Sequence, residues 1–476
     1  MEEAPLSVLI VGSGVFGLST AWSLTKQPFF DDTTITIVDC ADHGRFPPPD
    51  AASVDHSRLI RPDYADGDYA ALAMAAQEEW RKQGDDDLGG QQRYAQSGLV
   101  LAADDSRAGG YVTRALDQVR KRCQNMTQNR DTSDNVRTFE SKEALDEYLG
   151  TDHAGDWGYL NTGSGWADAG KAMSWLYKRV EATQRVDFVG AKVKRLETRD
   201  DRVVGARLSD DKVLEAEVVL VAAGAWTGEL IDLRGRVEAT GQPIGFVELT
   251  EQEAAIMAEQ PSVLNLSTGL FVIPPRGRVL KVARHGFGYL NPRIVNSALP
   301  ATTTAQMGPI MVSRPSTRRD VGDVYKLPAE ADADLRRGLR DLTPIGGLET
   351  RPWKETRLCW YSDTKDGNWL IDWHPEWKGL FVATGDSGHG FKFLPLLGDK
   401  VVDVMLGRGG DLGRKWMWRD SGEDGEGREI DGRFRGLRTL DQSRAGVAGM
   451  VLEEELKKAE GTDGPPVERE VITGVL

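Results

Sequence analysis

The hydrophobic pattern at the start of the chain is the clearest signal in it. Ser7 to Val11 is a short continuous apolar run, read as a buried strand, and Gly12, Gly14 and Gly17 follow at once in a Gly-x-Gly-x-x-Gly spacing. Leu18, Trp22 and Leu24 then recur at helical spacing, and a second strand, Thr34 to Val38, ends in Asp39. Strand, glycine turn, helix and a strand closing on an acid form the layout of a dinucleotide-binding unit. The glycines permit a tight turn and close approach of phosphate, the helix N-terminus faces the pyrophosphate, and the acid meets a ribose hydroxyl. Asp39 favours FAD or NAD over NADP, because a carboxylate repels a 2′-phosphate. A glycine-rich turn in an unrelated α/β protein is the other reading.

Further along, Arg45 to Asp50 breaks any regular element with three prolines. Leu72, Ala76 and Trp80 predict a helix, preceded by a charged stretch holding Arg58 and Arg61 three residues apart. That pair is either an anion clamp or a solvated pair in local salt bridges. Ser97 to Ala102 reads as a strand, Ser106 to Tyr148 as charged and helical with a loop at Asn125 to Asp134, and SGWADAGKAMSWL as a small-residue turn into a helix. Val186 to Val189, Lys192 to Glu197 and Val203 to Leu208 are short strands, and Val218 to Thr227 is a buried strand ending in Ala-Ala-Gly-Ala-Trp, a second backbone approach to the nucleotide. After Gly235 the pieces are strand-like with prolines, as expected of a mainly antiparallel domain inserted into the nucleotide fold. Within them Lys281 alternates with Leu280 and Val282, so it points away from them, and solvent is the ordinary destination for such a lysine. A strand-like GLFVATG and a glycine turn with His389 and Lys392 lead into a helix running to about Leu406. The tail from Gly407 reads as wrapping or partly disordered, with Trp416 and Trp418 anchoring its start.

Composition narrows the partners. The 476 residues carry 59 Lys and Arg against 74 Asp and Glu, a formal charge of −15, which argues against nucleic acid or an anionic membrane surface. No run approaches the ~20 apolar residues of a membrane span. Three dispersed cysteines, Cys40, Cys123 and Cys359, suit free thiols in a reducing compartment, so the cytosol is the expected location. The six histidines are scattered without metal-ligand spacing, so no metal is expected.

Five separated pieces, GSGVFG, DHSRLIRPDY with YAALAMAAQEEW, AAGAWT, VLKVARHGFGY, and RLCWY through SGHGFKF, together resemble the flavin-dependent amine oxidases related to monomeric sarcosine oxidase and the fungal fructosyl amino acid oxidases, the amadoriases. The cysteine before a strand followed by SGHGFK is the most specific of them. The resemblance implies a Rossmann-like FAD-binding domain (1–95, 157–235 and 352–412), an inserted mainly antiparallel substrate domain (96–156 and 236–351) and a C-terminal tail (413–476). It implies FAD attached through a thioether at Cys359, whose thiolate Arg357 would favour. It makes Lys281 the lysine over the flavin that speeds reaction with oxygen, by stabilising the negative charge that develops. Arg61 and Lys392 match the two cations that hold a substrate carboxylate. Arg58, His389 and Tyr361 match residues beside the flavin, and Gly12, Gly14, Gly17, Asp39, Ser57, Ala223, Gly224, Gly388 and Gly390 match its binding segments.

The reaction so implied removes a hydride equivalent from a carbon next to a secondary amine, gives an imine, and passes the electrons to oxygen as hydrogen peroxide in a protein expected to be monomeric. Amadoriases place an acid shortly after the lysine matched by Lys281, where this chain has Val282, Ala283, Arg284 and His285. The HGFKFLP and WMWR runs are closer to amadoriases. An N-methyl or other N-alkyl amino acid, bulky and aromatic, in fungal secondary metabolism is the favoured substrate, with ring closure of the imine as a later fate. A fructosyl amino acid oxidase, a flavin dehydrogenase with another electron acceptor, and a non-catalytic nucleotide-binding module are the alternatives.

Overall fold

The computed structural model describes residues 3–40, 45–104, 106–126, 135–317, 325–419, 429–430, 433–434 and 436–458, with the backbone alone for 106–109, 123–126, 429–430 and 433. The chain is a mixed α/β fold built on two large sheets, with smaller ones beside them. In the six-stranded sheet the order is Leu370–Trp373, Leu380–Thr384, Val218–Val221, Ser7–Val11, Thr34–Asp39 and Val186–Gly190. All neighbours are parallel except the antiparallel Leu370–Trp373 edge. Both faces are covered, which is why these strands read as unbroken apolar runs rather than alternating ones. Val8 and Ile10 pack with Leu18, Leu24 and Val401 on one side, and Leu9 and Val11 with Val219 and Leu196 on the other. The helix Val15–Lys26 lies against Leu394–Met405, so the first and last helices of the nucleotide fold share one layer.

While Val193–Arg199 and Arg202–Leu208 belong to a separate three-stranded sheet, the ten-stranded sheet includes Val237–Glu248, which pairs antiparallel with both Val279–Arg284 and Glu355–Thr364. Here period-two alternation decides which side chains reach the cavity. Leu280, Val282, Leu358 and Trp360 pack on one face against the helix Ala329–Asp341, whose Leu335 and Leu339 are fully buried. Ala283, Cys359 and Tyr361 belong to the opposite face, together with Phe246 and Ile273. Lys281 shares that second face.

Three stretches differ from the sequence expectation. Ser106 to Tyr148 contains a strand, Val136–Phe139, between the helices Ser106–Met126 and Lys142–Leu149; residues 127–134 of the expected loop lie outside the described residues. The turn expected within SGWADAG holds the strand Gly165–Ala167, and just before it Trp157–Asn161 joins the ten-stranded sheet beside Leu99–Ala103. These strands form through partners distant in sequence, so local periodicity carries little trace of them. The tail wraps back: Leu440 N donates to Lys365 O at 2.7 Å, Met450–Val451 pairs with Tyr289–Leu290, and a helix follows at Leu452–Lys458. Trp416 is fully buried and donates to the Tyr69 hydroxyl at 2.9 Å. No helix among the described residues is long and apolar enough to cross a membrane.

Candidate active site

One cavity of about 1110 Å³ runs from the glycine turn to the cavity-facing side of the ten-stranded sheet. Gly12 adopts φ +107°, and a Cβ there would lie 2.4 Å from Ala222 O; a Cβ on Gly17 would lie 1.9 Å from Gly12 O, so helix and turn close only on glycine. Gly14 and Gly224 line the cavity, and a Cβ on either would meet nothing within 4 Å. They present bare backbone to whatever fills the space. Asp39 lines it too, its Oδ2 accepting from Ser13 N at 2.6 Å and Ser13 Oγ at 2.8 Å. Ordinary small-molecule pockets hold about 300–1,000 Å³, so there is room for a dinucleotide with a small substrate beside it.

Further in, charge is concentrated around Asp55. Its buried carboxylate meets three cations: Arg58, Lys281 and, at 2.7 Å, Arg357. Burial alone would raise its pKa, but Arg357, Arg58 and Lys281 outweigh burial and hold it well below the usual carboxylate range. Lys281 is 2% exposed, donates to Asp55 and to Ser57 O at 3.0 Å, and is lowered to about 8, chiefly by burial, with Asp55 opposing. The solvent destination expected of a strand lysine is therefore wrong, because both sheet faces are buried. Ser57 contributes this carbonyl and is not itself a lining residue. Arg58 also donates to Cys359 Sγ at 3.1 Å. The guanidinium at the sulfur is Arg58, while Arg357 turns to Asp55 and to Val54 O at 3.1 Å. Arg58 is not a solvated partner of Arg61: its local ion pair, with Asp55, lies inside the protein, and Arg58 lines the cavity.

Arg61 and Lys392 form a second, different group. Both lie over the Tyr64 ring, each 5.2 Å from its centroid. Both are buried, and among the described residues neither makes a salt bridge; Arg61 donates to Asp63 O, and Lys392 to the Tyr64 hydroxyl at 2.8 Å and His389 O at 2.9 Å. Burial and then Arg61 push the Lys392 ammonium well below its ordinary value. A hydrogen-bond relay fixes the neighbourhood. Gly367 O can only accept, so His389 Nε2 carries the proton (2.8 Å) and Nδ1 accepts from the Tyr64 hydroxyl (3.1 Å), which in turn accepts from Lys392. Burial, then Lys392, keeps His389 neutral.

The third group joins strand, turn and tail. Tyr361 lines the cavity opposite the Gly388 turn, which has φ +69° and would place a Cβ 2.3 Å from the ring. Its hydroxyl lies 3.5 Å from His285 Nδ1, and burial raises its pKa above the ordinary value. Arg444 from the tail reaches under this ring, 5.2 Å from its centroid, pairing with Asp363 and donating to Ser387 O at 2.8 Å. Arg444 also contacts His285 Nδ1 at 3.1 Å, and burial followed by this charge keeps His285 neutral. Arg284, one residue earlier, turns to Glu330 and Asp334 on the opposite face. Gly388, Gly390 and Ala223 complete the lining.

A glycine cradle on parallel strands opening onto buried cations fits a dinucleotide-binding site. The chain belongs to the FAD dependent oxidoreductase family, which matches residues 7–404. It is 31% identical over 462 residues to the amino acid oxidase imqH of Aspergillus flavus, covering 85% of this chain and 93% of that protein. It is likewise 31% identical over 480 residues to the amino acid oxidase fsqB of Aspergillus fumigatus, covering 86% and 93%. The solved structure of a fructosyl peptide oxidase from E. terrenum superposes with a TM-score of 0.75 at 23% identity, over 95% and 98% of the two chains, a likeness of fold. The protein is thus an FAD-dependent oxidoreductase, and the cradle fits FAD.

Sequence reasoning missed Asp55, Tyr64 and Arg444. Asp55 and Tyr64 stand inside the DHSRLIRPDY stretch, so a signal was present, but their partners are far along the chain. Arg444 sits in a turn-rich segment with no signal at all.

Proposed function

We propose that the protein oxidises the C–N bond of a secondary amine, an N-methyl or other N-alkyl amino acid with an aromatic side chain, to an imine, with O2 taking the two electrons and two protons as H2O2. The single observation behind this reading is the buried Arg61 and Lys392 pair, which lies in the same cavity and, among the described residues, makes no salt bridge, Asp63 and Asp386 acting on it only from outside ion-pair contact. Two desolvated like charges are unfavourable until an anion joins them, and a substrate carboxylate supplies one. FAD, attached at Cys359 Sγ, supplies the acceptor for the hydride equivalent. Arg61 and Lys392 hold the carboxylate, which fixes the adjacent carbon and its amine. Tyr64 and His389 hold Lys392 in place. Tyr111, Leu264 and Phe271 offer the side chain an aromatic and apolar wall. Lys281 supplies positive charge where negative charge develops on oxygen. A phenol on the same substrate provides a nucleophile for the electrophilic imine, so ring closure is the proposed later fate.

The fructosyl reading is less well supported, because the cavity-facing residue after Ala283 is neutral His285, and Arg284 is occupied elsewhere. Anaerobic mixing of the yellow protein with N-methyl tyrosine and with a fructosyl amino acid separates the two by which bleaches the flavin band. Bleaching by the N-methyl compound alone is expected; bleaching by the fructosyl compound alone would make the protein an amadoriase. Flavin that stays with the protein after acid precipitation, and leaves it in Cys359→Ala, tests the attachment.

A further inference from the structure

Lys281 sits mid-sheet between Ile273 and Phe246, with the Phe271 ring 5.6 Å from its ammonium. Apolar walls of this kind expel a proton from a lysine unless an anion is supplied. The charged groups around it come from two elements: Asp55 and Arg58 from the segment after the proline turn, and Arg357 from Glu355–Thr364, the strand beyond Val237–Glu248. Among the described residues, Asp55 is the salt-bridge partner of all three cations. The same short segment supplies the second acceptor, Ser57 O. Asp55 also connects Lys281 to the sulfur of Cys359 through Arg58, so one carboxylate ties together the lysine and the guanidinium that touches the cysteine.

We infer that Asp55 is a positioning residue for oxygen reduction, holding the Lys281 side chain at the cavity wall and keeping it cationic. The inference rests on the proposed role of Lys281 with O2. In that step O2 takes two electrons and two protons from reduced FAD, giving H2O2 and oxidised FAD, and the cation offsets charge developing on oxygen. With Asp55 in place, Lys281 is lowered to about 8 and stays largely protonated at neutral pH. Without it, burial, Arg58 and Arg357 all act in the same direction, and the lysine is neutral. The sign follows: oxygen reactivity is present below the Lys281 pKa and lost as pH rises through it, and removing Asp55 moves that loss to lower pH.

The test uses the holoenzyme in the wild-type, Asp55→Asn, Asp55→Glu, Lys281→Met and Asp55→Asn/Lys281→Met forms. Lysines carrying 13C at Cε are titrated by NMR, with the Lys281 signal assigned by its absence in Lys281→Met. Reoxidation of the reduced protein by O2 is followed separately by stopped flow. In Asp55→Asn the Lys281 titration moves down by more than a pH unit, and reoxidation at pH 7.5 slows on the order of 10-fold, with flavin reduction little changed. Asp55→Glu retains most of the rate, and the double variant is no slower than Lys281→Met. An unchanged Lys281 titration in Asp55→Asn, or additive losses in the double variant, overturns the inference. Should Asp55→Asn not fold, Asp55→Glu and the wild type decide: a wild-type Lys281 already neutral at pH 7 overturns it, as does an Asp55→Glu protein whose reoxidation is lost while its Lys281 titration is unmoved. Normal reoxidation in Lys281→Met would instead remove the oxygen role of the lysine, leaving the NMR titration to decide the coupling to Asp55.

Discussion

Two cationic groups lie buried in the same cavity, and they are solved differently. Around Asp55, three cations share one carboxylate built into the protein, so charge is permanently held. Arg61 and Lys392 both lie over the Tyr64 ring and, among the described residues, neither forms an ion pair with a carboxylate, so charge is left open. A folded chain tolerates the second arrangement only at a cost in stability, and such a cost persists where a ligand relieves it. The contrast is why we propose that the first group tunes the site and the second receives an anion.

The contrast breaks most visibly in stability. Asp55→Ala leaves three buried cations without their carboxylate and is expected to cost about 3–5 kcal/mol, read as a drop in the denaturant midpoint. A change under about 1 kcal/mol would mean that the cluster is not desolvated. Next comes binding: Lys392→Met is expected to lower kcat/KM for the amino-acid substrate about 10²-fold or more, with the larger part in KM, because a charge-assisted contact to a buried carboxylate is lost. Arg61→Met should do the same to kinetics while leaving the ligand-free protein as stable as before, or more so, since it relieves repulsion with Lys392. Equal destabilisation by Arg61→Met and Asp55→Ala would erase the distinction between the groups.

A smaller effect concerns pH. Lys392 is depressed by burial and by Arg61, so it carries its charge only below that lowered value. Affinity for an unreactive carboxylate such as acetate is therefore present at low pH and lost as pH rises through the Lys392 pKa, well before an ordinary lysine would titrate. In Lys392→Met this slope should vanish; a wild-type affinity flat to pH 10 would contradict the depressed value.

What the sequence shows and what it hides follow the range of the forces involved. The strand Ser7–Val11, the glycine turn and Asp39 are legible because a βαβ unit is made of residues near one another in the chain. The late segment from Arg357 to Lys392 is legible through its unusual residue types. The partnership of Asp55 with Lys281 spans 226 positions and with Arg357 about 300, and no periodicity records it. Arg444 is harder still, since an arginine in a polar tail looks like any solvated one until Asp363 and Ser387 are found beneath Tyr361. Lys281 shows the reverse failure: strand alternation gives its direction correctly, but the face it points to is interior.

The most direct test compares one substrate with and without its negative charge. Anaerobic stopped-flow reduction of the flavin by an N-methyl aromatic amino acid, beside its methyl ester, isolates the Arg61 and Lys392 pair from every oxygen effect. The free acid should bleach the flavin with an efficiency about 10²-fold above that of the ester, and the gap should collapse in Lys392→Met. An ester that reduces the flavin as well as the acid does would mean that the open cations serve something other than the substrate carboxylate.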